Sequence, residues 1–343
     1  MDVTIYGAGI FGLSCAWALV RRGARVAVVD PAGVGAGSSG GIVGALAPHV
    51  PEQWNEKKAF QYESLVMAEA FWSDVAAVSG MDPGYARLGR LQPVLPGGRA
   101  LADARGQGAK TLWQGRYHWT VEDAPTGWTP GTAQVIRDTL SARIHPARAC
   151  TALAAALRAQ GVDMEHDLPV QGHVLHATGW QGLTHLRDNK DRAAGNGVKG
   201  QAALLGFDAA DQPQLFIDGL HIIPHADGTT AIGATSEREA MDTTTDDLLE
   251  ALIQKAKTLV PAIVDAPVLQ RWAGIRPRAR SRAPLLGKWP RRPGHYIANG
   301  GFKIGFGVAP KVAEVMADLI LEGRDTIPAP FRTDGLAPWG FGA

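Results

Sequence analysis

The sequence has 343 residues and is poor in cysteine, in net charge and in long apolar runs. Its two cysteines, Cys15 and Cys150, are too few for a disulfide framework or a cysteine-rich metal site. Both fall in apolar helical patterns, so we expect buried free thiols and a cytoplasmic protein. The longest apolar stretch, residues 42–50, falls far short of the ~20 residues that a membrane span requires. No membrane span is therefore expected.

The charge balance is close to neutral, with 34 Lys+Arg against 33 Asp+Glu and a net charge of +1. This argues against nucleic-acid binding driven by total charge and leaves local patches open. Residues 271–292 form one such patch, with eight basic residues and no acid. Its plainer interpretation is a solvated face, and the alternative is a site for an anionic substrate or an RNA backbone. His173 and His176 lack any metal-binding motif around them, so no metal site is expected.

The N-terminus carries a dinucleotide-binding pattern. A strand at residues 3–6 leads into the G-x-G-x-x-G segment at residues 7–12, a helix follows, and a second strand ends at Asp30. Gly7 allows a tight turn, Gly9 lets the backbone approach a pyrophosphate, and Gly12 lets the helix pack closely on the strand. The helix N-terminus offers N–H groups to phosphates, and Asp30 can accept hydrogen bonds from ribose hydroxyls. The motif alone does not separate NAD from FAD.

A second glycine-rich segment follows Asp30 closely. It contains Ser38 and Ser39 and continues into the apolar residues 42–48 and His49. Residues 37–41 also fit the G-x-S-x-G nucleophile motif of hydrolases, but that motif requires a strand directly before it, and here a loop precedes. A solvated loop is the other alternative for the two serines.

These segments resemble the D-amino-acid oxidase/glycine oxidase family of flavoenzymes, in which a GxSS stretch follows the ribose acid and a GGxLxPH-like stretch runs beside the flavin. The resemblance continues downstream in five segments, which are residues 177–180 (AxG motif), 198–201, 222–235, 272–277 (waGlRP motif) and 296–310 (GHyrnGilLAP motif). Three positions depart from the family pattern. Ser281 stands where an acid is usual, Gly301 where many members have histidine, and Lys303 where they have arginine.

The resemblance implies a fold that is α/β (α+β overall). A Rossmann-like FAD-binding domain is expected to be interleaved with an antiparallel-sheet substrate domain. The expected FAD-binding segments are residues 1–80, 136–198 and 270–343. The expected substrate-binding segments are residues 81–135 and 199–269.

The resemblance also implies the cofactor and the reaction. FAD is expected, held without a covalent bond because both cysteines lie in helices. The implied reaction oxidises an amine or small amino acid of the glycine, sarcosine or D-amino-acid type. It comprises hydride transfer from the substrate α-carbon to flavin N5, hydrolysis of the imine, and reoxidation by O2. Arg276 is expected to bind the substrate carboxylate, with His49 and Lys303 lining the ring or tuning reoxidation. The expected FAD contacts are Gly7, Gly9, Ile10, Phe11, Gly12, Asp30, Ser38, Ser39, Gly44, Ala45, Leu46, Ala177, Thr178, Gly179, Gly300, Gly301, Phe302, Lys303, Ile304 and Gly305.

Three alternatives stay open at this point. A dehydrogenase of the same fold would use another electron acceptor, and would release no peroxide under air. A flavoprotein that oxidises a carboxymethylaminomethyl group on tRNA would suit the basic stretch and would bind tRNA in a salt-dependent way. A non-catalytic flavin-binding subunit would not be bleached by any amine. The sequence also leaves open a homo-oligomer and the residues that contact the adenine.

Overall fold

The computed structural model describes residues 1–336 and contains seven helices and sixteen strands in that range. The helices are α1 (Ile10–Val20), α2 (Glu56–Ser79), α3 (Arg99–Leu112), α4 (Pro146–Ala159), α5 (Gly179–His185), α6 (Asp247–Leu259) and α7 (Gly305–Ala317). The strands are β1 (Asp2–Tyr6), β2 (Arg25–Val29), β3 (Ala45–Leu46), β4 (Arg90–Pro93), β5 (Trp119–Asp123), β6 (Gln134–Asp138), β7 (Ala142–Arg143), β8 (Asp163–Glu165), β9 (His173–His176), β10 (Gly195–Leu205), β11 (Gln214–Ile217), β12 (Leu220–Pro224), β13 (Thr230–Gly233), β14 (Val268–Ala279), β15 (Leu285–Lys288) and β16 (His295–Asn299). None of the helices within residues 1–336 combines the length and the apolar character that crossing a bilayer requires.

One sheet has six strands in the order β15-β16-β9-β1-β2-β8. Its strands are parallel except for β15, which pairs antiparallel with β16 at one edge. β1 pairs with β2 on one side and with β9 on the other, so the chain order reverses at β1. Open α/β sheets bind ligands at such a reversal, outside the carboxyl ends of the strands.

Helices α1, α2, α4 and α7 build the core on this sheet. Leu13 of α1, Leu65 of α2, Leu153 of α4 and Val312 of α7 are all buried in one apolar cluster with Ile5 of β1. α7 packs on both α1 and α2, although more than 200 residues of sequence separate it from either. The last helix of the described chain therefore completes the layer that the first helix begins.

The second sheet has eight strands in the order β14-β10-β13-β12-β11-β4-β6-β5. Every neighbouring pair is antiparallel except β11 with β4. α6 covers one face, where Leu249 and Ile253 are buried with Leu215 and Ile222 of the sheet. A capping hydrogen bond begins α6, since the Asp246 carboxylate accepts from the backbone N–H of Leu248 at 2.9 Å. A third, two-stranded sheet pairs β3 with β7.

The expected fold class is confirmed, with a Rossmann-like parallel sheet and a larger antiparallel sheet built from interleaved segments. Three strands of the large sheet cross the predicted domain boundaries, because β6 spans residue 136, β10 begins before residue 199 and β14 runs from before residue 270 to Ala279. Strand periodicity shows that a segment is a strand but does not show which sheet receives it. We propose that the substrate domain takes in all three strands. Residues 337–343 of the last predicted segment lie outside the described residues.

Candidate active site

A cavity of about 800 Å³ lies where the two sheets meet. From the six-stranded sheet, β1, β2, β9 and β16 all contribute residues at or just beyond their carboxyl ends. From the eight-stranded sheet, β10, β11, β12 and β14 contribute side chains to the same cavity. Its size suits a nucleotide cofactor together with a small substrate.

The glycines of the first loop are required by close contacts. Gly7 has a φ of +110°, and a Cβ at that position would overlap the carbonyl group of Ala177. A Cβ at Gly12 would overlap the carbonyl oxygen of Gly7, so α1 can pack on β1 only without a side chain there. α1 begins at Ile10, whose N–H donates to Ser39 Oγ at 3.0 Å. The two glycine-rich segments are thus joined at the N-terminus of α1.

Asp30 lies at the end of β2 and lines the cavity. Its carboxylate accepts from the Ala8 N–H at 2.8 Å and from the Ala32 N–H at 3.0 Å, which fixes the glycine loop against β2. Each carboxylate oxygen has two lone pairs, so Asp30 can accept further hydrogen bonds from a ribose. The glycine cradle, the helix N-terminus and this acid together fit the diphosphate and ribose of a dinucleotide.

Arg276 reaches the cavity from β14. Its Nη1 donates to the Thr235 carbonyl oxygen at 3.1 Å, and a Cβ at Gly200 would overlap the guanidinium. Within the described residues, no carboxylate oxygen lies within 4.0 Å of this guanidinium. Burial lowers the pKa of Arg276 to about 10, and the charge of Glu237 opposes the shift. A guanidinium that is largely desolvated and lacks a counter-ion favours binding of an anion.

Lys303 adds a second cation to the cavity lining. It follows Phe302, which has a φ of +44° and whose N–H donates to the Pro277 carbonyl oxygen at 3.0 Å. Lys303 Nζ lies 5.7 Å from the centroid of the Phe302 ring. Burial lowers the pKa of Lys303, and repulsion by Arg276 and Arg278 lowers it further. The cavity therefore holds two cations that repel each other and would both gain from a bound anion.

His221 is a titratable residue that lines the cavity but is not among the predicted site residues. It lies on β12 with its ring centroid 4.7 Å from that of Phe216, and its Nδ1 is buried without a hydrogen-bond partner. Burial lowers the pKa of His221 to about 3, with further lowering by Arg90, Lys303 and Arg276. Its neighbours Leu220 and Ile222 are buried in the apolar cluster between α6 and the eight-stranded sheet. Because side chains alternate along a strand, His221 lies on the opposite face of the sheet.

The structure brings most of the predicted site residues together. All predicted FAD contacts line the cavity except Gly12, Leu46 and Ile304. Gly12 allows α1 to pack closely on β1. Leu46 is fully buried in the apolar cluster on the six-stranded sheet, and Ile304 packs against that cluster. Lining residues outside the predicted set include Val43, Phe216, His221, Trp272, Ile275 and Asn299.

His49 is not brought to the cavity. Its side chain is exposed, and both its backbone N–H and its Nδ1 face the amide oxygen of Gln61 on α2, the first at 2.9 Å. The chain leaves the cavity after β3, because α2 holds the residues that follow against its own surface. We therefore remove His49 from the candidate catalytic residues.

The two cysteines do not line the cavity, although the Cys150 thiol lies behind it and donates to the carbonyl oxygen of Ser39 at 3.6 Å. Cys15 and Cys150 are buried as free thiols, and burial raises the pKa of each to about 12. Neither thiol is therefore placed to bond to a cofactor in the cavity. Within residues 1–336, no group of three or more His, Cys, Asp or Glu side chains is placed to hold a metal ion.

The parallel sheet, its glycine-rich dinucleotide cradle and the antiparallel sheet that closes the cavity define the class of an FAD-dependent oxidoreductase. The comparison with known families agrees. This chain belongs to the DAO family of FAD-dependent oxidoreductases, whose model matches residues 2–319. FAD as the cofactor and the oxidoreductase class are thus confirmed.

Individual relatives cover nearly the whole chain. The chain is 27% identical to a glycine oxidase from Pseudomonas putida, over 97% of this chain and 98% of that protein. It is 26% identical to a glycine oxidase from Bacillus licheniformis, over 93% of each. The solved structure of glycine oxidase from Geobacillus kaustophilus superposes with a TM-score of 0.81 at 21% identity, covering 96% of this chain and 97% of that one. The latter likeness shows that the fold is shared.

Proposed function

We propose that this protein is an FAD-dependent oxidase of a small amine or amino acid that carries a carboxylate, of the glycine, sarcosine or D-amino-acid type. The observation that carries the proposal is the half-buried Arg276 guanidinium, which has no carboxylate partner among the described residues, in the cavity of an FAD-binding fold. The glycine oxidases among the relatives support the same substrate type.

Arg276 would bind the substrate carboxylate. A guanidinium fork meets a carboxylate with two parallel charge-assisted hydrogen bonds, each worth about 1.5–3 kcal/mol. The Thr235 carbonyl and the space at Gly200 fix the position of the guanidinium before the substrate arrives. Little free energy is then spent on ordering the side chain, and the α-carbon is held in one orientation.

The glycine loop and Asp30 would hold FAD, which would supply the acceptor for the hydride of the substrate α-carbon; hydrolysis of the imine by water and reoxidation by O2 complete the proposed reaction. The protein contributes orientation and electrostatics. His221 stays neutral in the working pH range, so its ring lines the cavity without adding charge. α7 begins at Gly305, which lines the cavity, so the N–H groups of its first turn stabilise negative charge there.

The test is the visible spectrum of the purified protein, followed by anaerobic mixing with glycine, sarcosine, D-alanine and D-proline. We expect a flavin spectrum that one of these amines bleaches, and release of peroxide when air is admitted. Bleaching without peroxide would replace the oxidase by a dehydrogenase with another electron acceptor. A flavin that none of these amines bleaches would overturn the proposed substrate type.

A further inference from the structure

A second pocket, of about 460 Å³, lies outside the FAD cavity. Four arginines line it, namely Arg238, Arg278, Arg280 and Arg282, and none of its lining residues is acidic. We call it the arginine pocket. It accounts for part of the basic stretch at residues 271–292 that the proposed reaction does not use.

The floor of the arginine pocket is built from small residues where β10 and β14 pair. Gly195 stands opposite Ala279 in the register of the two strands, and a Cβ at Gly195 would overlap the Arg278 carbonyl group. The Arg280 N–H donates to the Ala194 carbonyl oxygen at 2.8 Å, which continues the pairing beyond the strand end. Backbone and small side chains therefore form the base of the pocket, and the side chains of Arg238, Arg280 and Arg282 at its sides are exposed.

Most of the positive charge in the pocket is not neutralised. Arg280 Nη1 lies 2.6 Å from Asp188 Oδ2, and Asp188 also binds Arg192 at 2.8 Å. In the described part of the chain, no carboxylate oxygen lies within 4.0 Å of the guanidinium groups of Arg238, Arg278 or Arg282. Arg271, on the same strand as Arg278, is by contrast paired with Glu250 at 2.7 Å.

We propose that the arginine pocket binds the phosphate or carboxylate group of a small molecule, at a site separate from Arg276. Guanidinium groups match both anions in shape and charge, and several converging on one small pocket favour a compact anionic group. The pocket has the volume of a small-molecule site, and its lining among residues 1–336 includes none of the stacking aromatic residues that bind single-stranded nucleic acids.

Arg278 and Phe302 connect this pocket to the FAD cavity. Arg278 Cζ lies 5.8 Å from the centroid of the Phe302 ring, and Lys303 Nζ lies 5.7 Å from the same ring. Arg278 and Lys303 also repel each other. An anion bound at Arg278 would weaken that repulsion, so occupancy of the pocket is expected to alter substrate binding in the cavity.

The test is isothermal titration of the purified protein with inorganic phosphate and, separately, with succinate as a carboxylate probe. We expect saturable binding of at least one probe. The Arg238→Gln/Arg282→Gln double variant should bind that probe with a dissociation constant raised about tenfold or more. Arg291→Gln is the matched control, since Arg291 belongs to the same basic stretch but does not line the pocket. An unchanged Tm and visible spectrum would show that the double variant is folded.

Each outcome bears on the site without using turnover, so its failure is distinct from failure of the proposed oxidase. Binding of phosphate alone or of succinate alone supports the site and identifies its anion. Binding of neither probe, or equal binding by the double variant, overturns it. Salt-dependent tRNA binding that Arg291→Gln weakens as much as the double variant does would also overturn it, in favour of a nucleic-acid surface.

Discussion

Lys199 and Arg276 are two cations on neighbouring strands of the same sheet, and they differ in the carboxylate groups that surround them. Lys199 Nζ lies 2.9 Å from Asp242 Oδ1, 3.5 Å from Asp246 Oδ2 and 3.9 Å from Glu237 Oε2. Arg276 has only a carbonyl oxygen as its hydrogen-bond partner among the described residues. One cation is neutralised by the protein, and the other is left for a ligand.

The register of β10 and β14 explains how one sheet supports both environments. Lys199 stands opposite Ile275, and Arg276 stands opposite Val198. Because side chains alternate across a strand, the two cations lie on different faces. Hydrogen bonding to Asp242 raises the pKa of Lys199, whereas burial lowers that of Arg276. The comparison indicates that carboxylate partners, more than burial, distinguish a cation with a structural role from one that binds a ligand.

Replacing Arg276 with alanine is expected to have the largest effect. We expect Arg276→Ala to retain the flavin spectrum and to lose about 100-fold in kcat/KM on carboxylated amines, measured by steady-state kinetics. Arg271→Ala is the control, since Arg271 lies on the same strand but is exposed and paired with Glu250. Unchanged kinetics in the Arg276 variant would show that Arg276 does not bind the substrate, so that the two cations would no longer differ in function.

Replacing Lys199 is expected to affect stability instead. Lys199→Met leaves Glu237, Asp242 and Asp246 close together without their shared cation, so we expect a clear fall in Tm, measured by circular dichroism. We expect kcat/KM to stay near that of the wild-type protein at temperatures where the variant is folded. Lys199→Arg keeps the charge and should recover part of the Tm. A loss of activity without a loss of Tm would contradict the structural role.

His221→Gln tests a neutral group of the same cavity. We expect KM for the best amine substrate to rise roughly tenfold, with a smaller change in kcat, because the imidazole ring that lines the cavity is lost. His118→Gln is the control, since His118 is exposed and does not line the cavity. An unchanged KM would mean that the His221 ring does not contact the substrate.

The pH dependence of stability gives the smallest expected effect. The pKa of His221 is about 3 in the folded protein and 6.5 in an ordinary environment. Below pH 6.5, His221 therefore binds a proton in the unfolded chain but not in the folded chain. The free energy of unfolding consequently falls as the pH decreases from 6.5 towards 3. The slope from this group is at most about 1.4 kcal/mol per pH unit. Denaturant titrations at pH 6.5, 5.5 and 4.5 should show a shallower decline for His221→Gln, and equal slopes would contradict the assignment.

The sequence predicts those parts of the site that depend on local backbone geometry. Gly12 is required by a contact with Gly7 inside one βαβ unit, so the G-x-G-x-x-G spacing alone reveals it, whereas the contact at Gly7 involves Ala177, far along the chain. Arg276 and the segment at residues 300–305 were reached through motif resemblance. In each case the chemistry lies close to the residues that signal it.

The sequence does not predict what distant pairing decides. His221 enters the cavity because β12 lies in the interior of an eight-stranded sheet, and nothing near residue 221 specifies that sheet order. The resemblance of the segment ending at His49 to the family's GGxLxPH-like stretch predicts a place beside the flavin for His49, but the chain turns away and Gln61 binds its backbone N–H. The sheet that receives β14, which runs across the predicted boundary at residue 270, is decided by distant pairing in the same way.

The order of segments around the cavity has a consequence for synthesis of the protein. The diphosphate loop leaves the ribosome well before residues 300–305 and α7, which packs on α1 and α2. The nascent chain thus has one wall of the nucleotide site long before it has the other. FAD is expected to load only after α7 has been made, so a chain truncated before residue 300 should bind no flavin.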